Sequence, residues 1–219
     1  MSLAKRLKIL ALAAIVLPGL PTASLLAQPS TARSQASHAG GQNWVRQHLS
    51  GWPAENQKVA VELIDKYGPP AASTAQLLIW YGNGPWKRTV LHRSGVRHNF
   101  PLPHQDILEQ TVNYRVPADK VADLLNYNGS LVIDRTRGEL SVHCDSEQEN
   151  TLTLNIADDI VKGERTADQG LGYHAQVIRG LQIHEPESYP QQLRFKPQPA
   201  SATADPGEEA ELLQHLNGG

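Results

Sequence analysis

Cysteine, phenylalanine and runs of basic residues are nearly missing from this chain, and each shortage closes off a class of function. Cys144 is the one cysteine among 219 residues. An internal disulfide, and any zinc site built on several thiolates, is therefore excluded. Phenylalanine occurs twice and aromatic residues make up 5 % of the chain, so the core has to be assembled from Leu, Ile, Val and Ala. The formal charge is −2 and no basic run stands out, a poor match to nucleic acid or to an anionic membrane surface. Fixed catalytic spacings are lacking too. Gly82-Asn83-Gly84-Pro85 fits neither GxxxxGK[ST] nor GxGxxG and reads as a turn, and Ser94-Gly95 is no GxSxG elbow.

What is present starts at the N-terminus. Lys5, Arg6 and Lys8 form a basic head, Ile9 to Leu17 is uninterrupted apolar sequence, and Pro18, Gly19 and Pro21 then break any helix. Small or polar residues follow through Thr22, Ala23, Ser24 and Ala27. This is the layout of a secretory signal peptide over 1–27, with cleavage expected after Ala27 and Ser24 as a second candidate. Losing the three cations of the head would take the charge from −2 to −5. The competing expectation is an uncleaved anchor, because no charged residue falls between Ile9 and Ala32. The Pro and Gly in the middle of that stretch argue against it. A lipid anchor would need a cysteine at the cleavage point, and none is there. The expected address is secreted or periplasmic, with no stable membrane insertion after cleavage.

Residues 28–43 are rich in Ser, Ala, Gly and Gln without apolar periodicity and read as a disordered leader. Residues 197–219 form the matching tail, in which Leu212, Leu213 and Leu216 could mark a short docking helix. Between them, 44–196 reads as one folded domain. Val59, Leu63, Ile64 and Tyr67 share a helical face that Gly68, Pro69 and Pro70 end. Gln76–Tyr81 and Lys87–His92 form a hairpin across the Gly turn, and Ile107–Val116 alternates as a third strand. Pro117 opens a helix with Val121, Leu124 and Leu125 on its face, and Leu131–Ile133 is a strand.

The stretch around Cys144 has two readings. As a strand, Leu140, Val142 and Cys144 share one face. As a helix, Thr136 and Glu139 make a capping box, and of the two the capping box favours the helix. Both turn Cys144 inward. A helix from Ser146 to Lys162 and another from Thr166 follow in either case. Helices and strands without regular βαβ alternation give the expected class: α+β, a small antiparallel sheet with a leading helix and a C-terminal helical pair.

Two segments carry a resemblance. The helix into GPP followed by LLIWYGNGPWKR, over Val59 to Arg88, is similar to the helix, Gly-x-Pro turn and Trp-Tyr strand of small outer-membrane-assembly lipoproteins of the SmpA/OmlA type. Their lipid-modified cysteine has no counterpart here. More broadly, Gly82 to Gly163, with GNGPWKRT, PLPHQD, TVNYRVP, GELSVHCDSE and LNIADDIVKG, resembles bacterial "membrane or secreted" proteins. The resemblance implies family membership and an extracytoplasmic address; an envelope protein is the partner expected of a binding module at that address. The resemblance supplies no catalytic residue, and no cofactor is expected.

Two candidate sites compete. Tyr81, Trp86, Lys87 and Arg88 surround the hairpin tip and would form a contact surface if the aromatics are exposed. That favours a non-enzymatic binding or envelope-associated module. Alternatively, His98 and His104 flank NFPLP, and Asp106 follows His104 by two, so both can share the face of an extended segment and bind a metal with His98 or His92. That spacing, far less specific than HExxH, would make a hydrolytic or metal-dependent enzyme. His143, Cys144 and Asp145 diverge on either element, so a thiol catalyst would need a distant partner such as His98 or His174. A buried, unreactive thiol is the favoured state of Cys144. His143 with Glu147, and the Asp158-Asp159 pair, read as solvated groups.

Overall fold

The structure of the protein is a computed structural model that describes residues 40–182 and 191–207. The expected signal peptide, leader residues 28–39 and the region of Leu212 lie outside the described residues. Among the described residues, no helix is long and apolar enough to cross a membrane.

Six strands make one sheet in the order β1-β2-β3-β4-β6-β5, with every neighbouring pair antiparallel. They are β1 (Ala72–Ser73), β2 (Leu77–Asn83), β3 (Trp86–His98), β4 (His104–Asn113), β5 (Leu131–Asp134) and β6 (Glu139–Cys144). The helices are α1 (40–48), α2 (Ala54–Tyr67), α3 (Val121–Tyr127), α4 (Glu147–Lys162), α5 (Ala167–Gln182) and α6 (Ala200–Thr203). The chain is an α+β fold.

The helices cover one face of the sheet because that is where the alternating apolar residues point. α2 buries Val59, Ala60, Leu63 and Ile64, which cluster with Leu78, Trp80, Leu91 and Leu108. On the other half, Leu140 and Val142 of β6 cluster with Leu152, Ile156 and Ile160 of α4 and with Val177 of α5. Each such side chain contributes about 1.5–3 kcal/mol by leaving water. Ser146 caps the start of α4 by accepting from the Glu149 amide, and Gly163 ends it at φ 77, a conformation open to glycine.

Residues 139–144 are a strand, which overturns the favoured helix. β6 lies between β4 and β5, so both of its edges are hydrogen-bonded. That long-range pairing outweighs the local capping signal of Thr136 and Glu139. Cys144 is inward, 5 % exposed, as both readings required.

Three further expectations need correction. Residues 40–43, read as leader, belong to α1. Residues 197–207, read as disordered tail, dock on the β5–β6 turn. A Cβ on Gly138 would stand 2.2 Å from the Thr203 backbone, and Arg135 pairs with Asp205. Trp86, expected at an exposed hairpin tip, is 2 % exposed and belongs to the same core cluster as Val112, Leu124 and Leu140. With so few aromatics, burying the large ring fills core volume that aliphatic side chains would otherwise have to supply.

Candidate functional site

The β3–β4 pair decides where the histidines go. His92 and His98 are six residues apart, which on a regular strand puts them on one face. The pairing is irregular between Leu91 and Val96: Leu91 opposes Leu108, whereas Val96 already opposes Asp106. β3 thus carries extra residues here, and the two histidines end on opposite faces. Gly95 sits in this irregularity against Ile107, whose Cγ2 would be 2.7 Å from any added Cβ. Glycine lets the strands close there.

Beyond the irregularity, His98 directly opposes His104. Their rings are 5.1 Å apart, and Asp106 joins them on the same face. One ligand-type atom from each of the three lies within 4.8 Å of the others. The His104 Nδ1 is 2.8 Å from the Leu102 carbonyl. A carbonyl can only accept, so Nδ1 carries the proton that fixes the ring. Nε2 then faces both Asp106 Oδ1, at 3.0 Å, and Cys144 Sγ, at 3.3 Å. The Ser130 hydroxyl donates to Asp106 Oδ2 and lies 3.2 Å from His98 Nδ1, which is itself 3.6 Å from that carboxylate oxygen. Asp106 Oδ1 is buried and receives no aligned hydrogen bond, its close approach to His104 notwithstanding.

The charges are strongly perturbed. Asp106 pushes His104 up to about 9 against the opposing effect of burial, and the Leu102 carbonyl adds to the rise. Burial favours the neutral form of Asp106, but His104 and Ser130 outweigh it and hold the carboxyl below its ordinary value. Burial pushes the Cys144 thiol well up, with Glu149 and Asp145 adding to it. A thiol held neutral is a poor nucleophile. The geometry also lacks the division of labour of a catalytic relay. There the carboxylate orients one imidazole nitrogen while the nucleophile meets the other. Here Asp106 and Cys144 converge on the same nitrogen, an arrangement suited to ligands around one centre.

The other singled-out residues are dispersed. His143 and Cys144, adjacent on β6, diverge as expected: Cys144 pairs with Leu108 and His143 with Glu109. His92 and His143 meet Glu109 on the opposite, open face. His174 is buried against Tyr127 and Glu149. Glu147 binds Lys66, Tyr67 and Gln110 rather than His143. Asp158 and Asp159 are 4 % exposed each, and so are not the solvated pair expected. At the hairpin Tyr81 is 63 % exposed, but Lys87 and Arg88 are engaged with Glu139.

Sequence reasoning missed Ser130 and Glu109. Ser130 follows the Asn128-Gly129 turn and carries no motif that would have marked it. Glu109 was legible as the polar alternate of Leu108, but its histidine partners come from strands whose register no local pattern states. Compared with known protein families, curated proteins and solved structures, the chain gives no match.

Proposed function

We propose that this chain is an extracytoplasmic metal-binding module in which His98, His104 and Asp106 hold a divalent ion of borderline softness, such as Zn²⁺. Two imidazoles and a carboxylate suit that class better than Mg²⁺ or Ca²⁺, which take oxygen ligands. The observation that carries the reading is Asp106 Oδ1. It is a buried carboxylate oxygen without an aligned donor, and it shares a centre with His104 Nε2. Ligand atoms about 2.1 Å from a tetrahedral ion stand about 3.4 Å apart. Asp106 stands 3.0 Å from His104 Nε2 through Oδ1 and 3.6 Å from His98 Nδ1 through Oδ2, one separation on either side of that edge length. Leu102 and Ser130 supply the outer hydrogen bonds that orient metal ligands. The side chains of His98, His104 and Asp106 are 22 %, 12 % and 9 % exposed, so an ion has a way in. The extracytoplasmic address rests on the basic head and apolar run at the N-terminus.

The hairpin reading is weaker. A hot spot needs aromatic anchors that a partner can desolvate. Trp86 is in the core and Arg88 is paired, which leaves Tyr81 as the exposed anchor. The deciding experiment is a Zn²⁺ titration of the full chain, read by calorimetry and by metal content after gel filtration. A retained ion that is lost in His104→Gln and in His98→Gln is the expected result. Chain that holds no Zn²⁺, or variants that bind as the original does, would remove the reading.

A further inference from the structure

We infer that His92, Glu109 and His143 form a second divalent-metal site, on the open face of the sheet and independent of the first. The three come from adjacent strands. Glu109 directly opposes His143 of β6, and His92 lies two residues beyond Val90, its partner on β3. Glu109 Oε2 is 3.3 Å from His143 Nε2 and 3.7 Å from His92 Nε2. Hydrogen bonds of this kind close to about 2.7–2.9 Å when they are made. The observed spacing instead straddles the edge of a coordination tetrahedron.

Each donor is prepared for an ion. The His143 Nδ1 is 3.3 Å from the Ser130 carbonyl, so its proton is committed there and Nε2 is turned to the carboxylate. His92 Nε2 is shielded from solvent and has no hydrogen-bond partner, although its side chain is 33 % exposed. The two rings stand 6.3 Å apart and tilted, leaving the carboxylate between them. Arg88 approaches the other oxygen, Oε1, at 3.4 Å and is shared with Glu139 at 3.5 Å, so its charge is partly balanced. Glu109 Oε2 lies within reach of both imidazole nitrogens, and one ligand-type atom from each of the three residues falls within 4.8 Å of the others, so one ion can meet all three. Two imidazoles and one carboxylate leave the fourth position to water or to a ligand from solution. Arg88 makes this the weaker of the two sites.

The full chain should bind two Zn²⁺ ions in calorimetry at neutral pH. His143→Gln and Glu109→Gln should each bind one, with the tighter phase intact, while His104→Gln should lose the tighter phase and keep the weaker. Two ions in both His143→Gln and Glu109→Gln would overturn the site, as would a single ion that His104→Gln abolishes. A single ion lost in His143→Gln but kept in His104→Gln would support this site and remove the first. A measurement on unaltered chain guards against misfolded variants. Zn²⁺ should protect His92 and His143 from acylation by diethyl pyrocarbonate, read residue by residue by mass spectrometry. Equal labelling with and without Zn²⁺ would overturn the inference.

Discussion

Asp159 on α4 and Asp106 on β4 are both carboxylates taken out of water, with side chains 6 % and 9 % exposed, and they are treated differently. Asp159 accepts from Arg194 at 2.6 Å on one oxygen and from Arg165 at 2.9 Å on the other. Its neighbour Asp158 accepts from Tyr114 at 2.8 Å and Lys162 at 2.6 Å. Every oxygen of that pair has a short, aligned donor, and the donors tie α4 to the α4–α5 turn and to the segment from residue 191. On β4 Asp106 Oδ2 accepts from the Ser130 hydroxyl, but its other partners are imidazoles at 3.0 and 3.6 Å, and Asp106 Oδ1 and, on β3, His92 Nε2 are left without aligned partners. Burial alone therefore does not separate a structural cluster from a binding one. Completion does: charged lysines and arginines finish the first, whereas the second keeps ligand-type atoms turned toward a common point.

The largest expected effect is on stability. Asp159→Ala strands Arg165 and Arg194, and removing one member of a buried pair costs about 3–5 kcal/mol. Arg165 is 30 % and Arg194 49 % exposed, so both recover water, which places the loss below that range, at about 2 kcal/mol. Urea unfolding should show this drop while Zn²⁺ stoichiometry stays that of the unaltered chain. A loss of metal in Asp159→Ala would break the contrast between the two clusters.

That contrast was partly legible in the sequence. The order of α2, β2, β3, β4, α3, β5, α4 and α5 followed from apolar periodicity and from Gly and Pro punctuation, and the alternation of Leu108 and Val112 with Glu109 and Asn113 was readable because strands repeat every two residues. The helix favoured at Thr136–Cys144 failed because the decisive interactions come from β4 and β5, both remote in sequence. His98, His104 and Asp106 could be grouped since they flank a single turn. His92 could not be assigned, because the irregularity between Leu91 and Val96 flips its face. Asp158-Asp159 looks like a solvated pair in any linear reading, and the donors that finish it sit on a turn, on β4's exit and on a later segment.

A smaller effect separates the two metal sites themselves. Ser130 touches both, but with different atoms: its hydroxyl serves Asp106 and His98, and its carbonyl serves His143. Ser130→Ala removes the hydroxyl and keeps the carbonyl. Loss of such an outer partner typically weakens metal binding by about 10–100-fold. The variant should therefore lower Zn²⁺ affinity at the His98/His104/Asp106 site by that factor and leave the His92/Glu109/His143 site unchanged. Equal weakening of both sites would show that Ser130 acts through the loop and not through its hydroxyl.

The smallest effect is on acid stability. Burial favours protonated Asp159, but the hydrogen bonds from Arg194 and Arg165 outweigh it and hold the carboxyl below its ordinary 3.8. Glu109 is likewise held below its ordinary 4.5 by His143 and His92. A depressed folded-state value means that the unfolded chain binds the proton first. The stabilisation is then complete above the ordinary value and fades as pH falls through the folded one. Each carboxylate can contribute at most about 1.4 kcal/mol per pH unit to that slope. Without metal, Asp159→Asn and Glu109→Gln should both lose stability less steeply than the unaltered chain below pH 4.5. Saturating Zn²⁺ should separate them. Protons compete with an ion at Glu109 for the same ligand atoms, so Zn²⁺ should start the loss at higher pH and steepen it. That steepening should persist in Asp159→Asn, which keeps both trios, and shrink in Glu109→Gln. If Zn²⁺ shifts the acid limb of Glu109→Gln as far as that of Asp159→Asn, Glu109 is part of an ion-pair network like the one on α4, and the distinction between the two clusters fails at that residue.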